Sequence, residues 1–238
     1  MPNLVLLDFP ASKLEGWESL SPFVLKIIRA LRYAGLPFQH EHLPLIRVPT
    51  STPHGQLPVL HLDGEVLADS TNILLRIERE LAPGVFSRGL DARAQGEAWL
   101  WEEFADTSLY AFALSARWYK EENWQRLKPA MFGSAPALLR GVGASWVRRG
   151  ILNSLRARDF TRAGLEACYA RMRRTFDDLE ARTPRTGFWV GETLSVADVS
   201  LFAQLHTLRA PFSPDVAEEL AARKNLSAYL DRVDAATR

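Results

Sequence analysis

Cysteine is almost missing from this chain: Cys168 is the single one in 238 residues. One thiol cannot make an internal disulfide, a CxxC redox pair or a cysteine-based zinc site. The chain therefore reads as reduced and intracellular. A charge excess is missing too. The 29 Lys and Arg against 28 Asp and Glu leave a net charge of +1, so no bulk attraction to nucleic acid or anionic lipid follows. No uncharged apolar run approaches the roughly 18 residues of a membrane span; the best stretch, 109–116, is less than half of that. The start offers only Leu4 to Leu7 before Asp8, without the basic flank and longer apolar core of a secretion signal. A cytoplasmic protein without a membrane or nucleic-acid partner is expected. What remains is an ordinary globular composition, 47% apolar and 24% charged, of a length that suits one large domain or two small ones.

The first eighty residues mix strand and helix signals. Leu4-Val5-Leu6-Leu7 is a short buried-strand run. Ser21-Pro22 suits a helix start, and Phe23, Ile27, Ala30, Leu31 and Ala34 form a helical stripe that Gly35 ends. Phe38 to Leu43 reads as a second strand, parallel to the first. Pro44, Pro49, Pro53 and Pro58 then mark irregular backbone rather than helix. Two short strands, 59–62 and 65–68, flank Asp63-Gly64, a strong hairpin signal. Ser70 is expected to cap a helix from Thr71 to about Leu81. The order βαβ then ββα gives a four-stranded mixed sheet with helices on its faces.

Beyond the turn-rich stretch 82–89, strand signals nearly vanish. Residues 92–116 form a long helical pattern, and Leu165, Cys168, Met172, Phe176 and Leu179 make a helical core stripe. Ser195 with Asp198 is a capping-box variant, and Leu194 with Val199 fits a hydrophobic staple, so a helix starts there. Two domains are expected: 1–82, α/β, and 90–238, all-α.

Three features of the first domain carry possible chemistry. Gln56-Leu57-Pro58-Val59 leads into a strand, where Pro58 must mark the edge or entry. With a cis bond, the Leu57 backbone would turn outward to pair with an extended peptide-like ligand; a trans proline that simply begins the strand is the common alternative. Asp69-Ser70 at a helix start suits a ligand's α-amino-acid end, the helix attracting the carboxylate and Asp69 the ammonium. Ser21, at another helix start, suits stabilisation of a thiolate brought by a ligand. An ordinary N-cap would explain either serine.

These segments together resemble the glutathione S-transferase family, whose N-terminal domain is thioredoxin-like. The resemblance rests on Gly55-Gln56-Leu57-Pro58-Val59-Leu60, Asp63-Gly64 and Asp69-Ser70, and on Phe188-Trp189-Val190-Gly191 with Leu194-Ser195-Val196-Ala197-Asp198. Leu20-Ser21-Pro22-Phe23, Ala68-Asp69-Ser70, Trp118-Tyr119, Asn123-Trp124 and 129–133 are similar to the bacterial metaxin and failed-axon-connections branch. The resemblance implies a cis Pro58, Leu57 on the cysteinyl backbone of glutathione, and Asp69 and Ser70 on its γ-glutamyl end. It implies Ser21 as thiol activator, with Ser12 and Ser19 on the long loop 10–20 as alternatives. Gln56 and His54 are weaker choices for the glycine carboxylate. Glutathione is then the co-substrate, a small hydrophobic electrophile its partner, and a homodimer the assembly. A non-catalytic scaffold of the same fold, as in metaxins, and a glutathione-dependent isomerase are the alternatives. With no cysteine in 1–167, a cysteine-dependent reductase is disfavoured.

Other residues read more plainly. Cys168 is expected to be a buried structural thiol. His40 and His42 share a strand face, but metal ligation needs a third group, and none is suggested, so no metal is expected. Trp99, Tyr110, Phe112 and Trp118 supply either core or pocket wall. Trp17 either overhangs the site or sits in a surface loop. The arginine-rich stretch 140–174 reads as a solvated helix face.

Overall fold

The computed structural model describes residues 2–11, 14–133 and 135–238. Strand β1 (Leu4–Asp8) lies between β2 (Gln39–His42), parallel to it, and β3 (Val59–Leu62), antiparallel; β4 (Glu65–Ala68) closes the order β2-β1-β3-β4. Asp63 and Gly64 both take positive φ, +49° and +93°, as the tight turn between β3 and β4 requires.

Helix α1 (Pro22–Tyr33) starts as its sequence expects, with Ser21 at the N-cap and Pro22 in the first turn. It ends before Gly35 (φ +67°), where the Leu36 N–H returns to the Leu31 carbonyl at 2.9 Å. The proline-rich stretch departs from expectation. Leu45–Arg47 and Val48–Ser51 are short helical pieces. Pro49 falls within the first turn of the second piece, where its missing N–H costs nothing. Helix α2 (Ser70–Arg76), prolonged by a π turn Ile77–Leu81, begins one residue earlier than expected. Its N-cap is Asp69, not Ser70: Asp69 Oδ1 accepts the Asn72 N–H at 3.0 Å. The acid outdoes the serine because it sits at the chain reversal (φ +76°) with its carboxylate aimed at the free amides.

The remainder is helical. α3 (Ala92–Phe104) runs on through π turns Ala105–Leu109 and Ser115–Tyr119 around a short α segment, Tyr110–Leu114. Then come α4 (Glu121–Phe132), α5 (Ala144–Ala157), α6 (Leu165–Arg182), α7 (Val196–Leu208), α8 (Pro214–Ala221) and α9 (Lys224–Thr237). Cys168, Met172, Phe176 and Leu179 of α6 are all buried. α7 is apolar around most of its circumference and is buried accordingly. It packs against α1 and α3, joining the sheet-bearing part to the helical part.

The capping box at its start is fully formed. Asp198 Oδ2 accepts the Ser195 N–H (2.8 Å) and Oγ–H (2.7 Å), while Oδ1 accepts the Trp189 N–H (2.8 Å) and the Tyr229 hydroxyl (2.7 Å). Leu194 and Val199 are buried at the staple positions.

A second buried polar cluster crosses the same junction. The Lys26 ammonium reaches Glu102 Oε1 at 2.9 Å and Asp106 Oδ2 at 2.5 Å, and the Thr71 hydroxyl donates to Glu102 at 2.7 Å. Burial pushes the Asp106 carboxyl up to about 6, with Lys26 pulling it down.

His206, near the end of α7, lies between Trp17 (4.6 Å) and Phe202 (4.9 Å), and its Nδ1 has no hydrogen-bond partner. Burial, then the Arg209 and Arg29 charges, lower its pKa from 6.5 to about 4. The folded protein thus holds the neutral ring. Its stabilisation is complete above pH 6.5 and is lost as the pH falls from there to about 4. Asp106, pushed up to about 6, gains stability over much of the same range, so urea unfolding is expected to show the parent losing up to about 3 kcal/mol more across that window than a variant without the ring titration, because each pKa unit is worth about 1.4 kcal/mol. His206→Phe keeps the stacking and removes the titration. A slope across this window as steep in His206→Phe as in the parent would refute the assignment.

Candidate functional site

Backbone pairing brings the expected residues to one end of the sheet. β1 finishes at Asp8, and its antiparallel register with β3 (Leu7 opposite Val59) carries Pro58 and Leu57 to the same end. The β3–β4 register (Val59 opposite Ala68) sets the Asp69–Ser70 turn beside them. The loop after β1 delivers Ser21 there at the start of α1. The Leu57–Pro58 peptide is cis, and both residues are buried. Ser70 is buried, whereas Asp69, Gln56 and His54 are exposed. Leu57, Pro58, Asp69 and Ser70 therefore lie together at this edge, with Gln56 directly before the ledge.

The three serines of the loop differ in their commitments. Ser12 lies outside the described residues. Ser19 is buried, donates to Asp8 Oδ1 (3.0 Å) and accepts the Ser21 N–H (3.0 Å). Its hydroxyl proton is already used. Ser21 is half-buried, and its Oγ accepts the Val24 N–H at 3.4 Å, so its own O–H is available to donate.

Ser21 opens onto a cavity of about 520 Å³. Phe9 and Pro10 after β1, Leu45 and Ile46 of the short helical pieces, and Tyr110, Trp118, Phe132, Trp146 and Ile151 of the helical part wall it. Ile46 and Trp146 are 62% and 76% exposed, so the wall stays apolar out to solvent. Of the aromatics considered from the sequence, Tyr110 and Trp118 line this cavity. Phe112 is buried in the core, packed edge-on against Phe160, and Trp99 is a partly buried residue at the core margin. Trp17 packs at a tilt against His206 and is not among the residues that line this cavity.

Two features near this site have no clear sequence signal. Arg117 lines the cavity, is 6% exposed, and donates to the Leu20 carbonyl at 3.1 Å and to the Thr207 carbonyl. It thereby fixes the backbone just before Ser21. Burial lowers its pKa to about 10, which still leaves it cationic at neutral pH. The other is Asp8. It places a buried carboxylate between the imidazoles of His40 (3.1 Å) and His42 (3.9 Å), the third group that the sequence did not suggest.

Cys168 is a poor nucleophile, since burial pushes its thiol up. Within the arginine-rich stretch, Arg148 binds Glu121 and the Trp118 and Tyr119 carbonyls, and Arg171 stacks on Phe160. Among the described residues, no helix is long and apolar enough to cross a membrane.

Comparison with known proteins points to one family. The family model described as glutathione S-transferase N-terminal domain matches residues 22–123, and the one described as glutathione S-transferase, C-terminal domain matches 162–232. An isoprene-epoxide glutathione S-transferase of Rhodococcus sp. (strain AD45) is 23% identical over 222 residues, 92% of this chain and 93% of that protein. Among solved structures, a delta-class glutathione transferase of Nilaparvata lugens superposes with a TM-score of 0.60 at 18% identity, covering 98% of this chain and 89% of that one. The beta-etherase LigF from Sphingobium sp. strain SYK-6 gives 0.58 at 20%, covering 98% and 95%. At such identities the structures speak for the fold alone.

Proposed function

This chain belongs to the glutathione S-transferase family, and on that premise we propose that it binds glutathione at the Leu57–Ser70 edge and conjugates its thiolate to a small apolar electrophile. The observation that carries the reading is that the strand register brings the cis Leu57–Pro58 ledge, the Asp69–Ser70 helix start and the Ser21 helix start to one end of the sheet, where Ser21 and Gly55 line an apolar cavity. The Leu57 backbone pairs with the cysteinyl residue of glutathione as an added strand does. The amides at the start of α2 and the Ser70 hydroxyl hold the γ-glutamyl carboxylate, and Asp69 holds its ammonium. Gln56 stands nearest to the glycine end.

Ser21 O–H then donates to the sulfur and favours the thiolate over the thiol. Ser21 suits this better than Ser19, whose proton is held by Asp8. The thiolate forms a carbon–sulfur bond to the electrophile, whose leaving group or opened oxygen takes up the displaced electron pair. Holding both reactants together supplies the remaining rate gain. The Rhodococcus relative is named for an isoprene epoxide, and a small epoxide of that kind suits this cavity, with the Arg117 cation in its wall. We also place the chain in the metaxin and failed-axon-connections branch, in the cytoplasm, and as a homodimer.

Glutathione added during thermal unfolding tests the binding step. At 100 times its dissociation constant it adds about 2.7 kcal/mol and raises Tm. No shift at saturating glutathione refutes the reading. A shift without turnover of any small electrophile marks a scaffold instead. Asp69→Asn keeps a capping side chain but removes the charge. We expect it to weaken glutathione about tenfold, by loss of one charge-assisted bond worth about 1.5 kcal/mol, with α2 intact by circular dichroism. Unchanged affinity by calorimetry removes Asp69 from the site.

A further inference from the structure

We propose that Asp8, His40 and His42 form a binding site for one divalent transition-metal ion of the zinc type. This site lies at the same end of the sheet as the glutathione edge, on its β1–β2 side, uses none of the residues assigned to glutathione, and does not rest on the glutathione reading. The parallel β1–β2 register sets Leu6 opposite His40 and Asp8 opposite His42. Residues two apart on a strand share a face, so both imidazoles turn toward the carboxylate that ends β1.

The ligand atoms are Asp8 Oδ2, His40 Nε2 and His42 Nδ1, all within 4.8 Å of one another. Oδ2 is 3.1 Å from His40 Nε2 and 3.9 Å from His42 Nδ1. A tetrahedral ion with bonds of about 2.0–2.1 Å needs ligand atoms about 3.3 Å apart. The observed separations bracket that value, and small rotations of the two side chains meet it.

The surroundings fit a site rather than a casual contact. Asp8 is 1% exposed, and its other oxygen, Oδ1, accepts from the Ser19 hydroxyl (3.0 Å) and the Phe9 amide (2.6 Å). Oδ1 thus orients the carboxylate while Oδ2 faces the rings, the division of labour that outer partners give to a metal ligand. The imidazoles are 26% and 32% exposed and stand on the edge strand, so an ion has a path in and a fourth position open to water. Two imidazoles and one carboxylate suit zinc, cobalt or nickel better than calcium or magnesium. At His42, Nδ1 now donates to the Phe9 carbonyl (2.7 Å), so an ion at Nδ1 takes the tautomer whose ring proton sits on Nε2.

The test uses the full chain, stripped with chelator and titrated calorimetrically with Zn²⁺, and separately with Co²⁺ while visible d–d absorption is followed. One equivalent is expected to bind. His40→Ala and His42→Ala should each weaken it more than about 100-fold, since losing even an outer partner costs about 10–100-fold. His54→Ala, on an exposed loop, should leave it unchanged. His42 is 32% exposed and its one hydrogen bond is to a backbone carbonyl, so His42→Ala keeps the fold and remains a fair variant if His40→Ala does not. No stoichiometric binding by the parent chain, or equal binding by His42→Ala, overturns the site.

Discussion

Ser21→Ala is expected to slow glutathione conjugation about 10- to 100-fold near neutral pH, the worth of one hydrogen bond to an ionised group, about 1.5–3 kcal/mol. The Michaelis constant for glutathione should change little, because Leu57, Asp69 and Ser70 still hold the peptide. The pH profile carries the diagnosis. An ordinary thiol titrates near 8.5. A parent enzyme that lowers this value runs at full rate well below it. The variant should instead gain rate steadily up to that pH and recover most of its deficit there. Loss of the cap on α1 costs about 0.5–2 kcal/mol of stability as well, which lowers Tm but does not reshape a pH profile. Identical rates and profiles in the two proteins would take Ser21 out of the chemistry.

Asp198→Ala is expected to cost the fold about 3–5 kcal/mol, among the largest effects of any single substitution here. The carboxylate is buried, and four donors converge on it from Ser195, Trp189 and Tyr229. Alanine leaves two backbone amides and a phenol without partners in an apolar interior, each at about 1–3 kcal/mol. It also frees the start of α7, the helix that packs on both α1 and α3. Chemical denaturation measures the loss. A midpoint within about 0.5 kcal/mol of the parent would mean that this network does not carry the junction.

Much of this arrangement can be read from local pattern. The capping box at Ser195, the Asp63-Gly64 turn and the stripe through Cys168 each depend on neighbours a few residues apart, and each stands as expected. The placement of Leu57, Ser70 and Ser21 at one edge follows from strand order alone. Residues whose partners lie far along the chain are another matter. Asp8 meets His40 and His42 only through parallel pairing across more than thirty residues. Lys26 and Arg117 look like solvated cations in sequence, yet both are buried, because tertiary packing supplies carboxylates to one and carbonyls to the other. The cap of α2 lies one residue earlier because Asp69, one of the few side-chain types that take positive φ readily, turns the chain there, while Ser70 beside it has the stronger look of a cap in sequence. The helical pieces at 45–51 escape notice because proline density argues against helix, except in a first turn.

Glutathione proposed to sit at this edge of the sheet is expected to have its thiol ionised there. Titrating the thiolate absorbance of bound glutathione in the ultraviolet, in the parent and in Ser21→Ala, tests it most directly. A half-ionisation point at least about one unit below the usual thiol value near 8.5 is expected in the parent, with a return toward that value in the variant. A bound thiol that titrates in the parent protein as it does in free solution would contradict it.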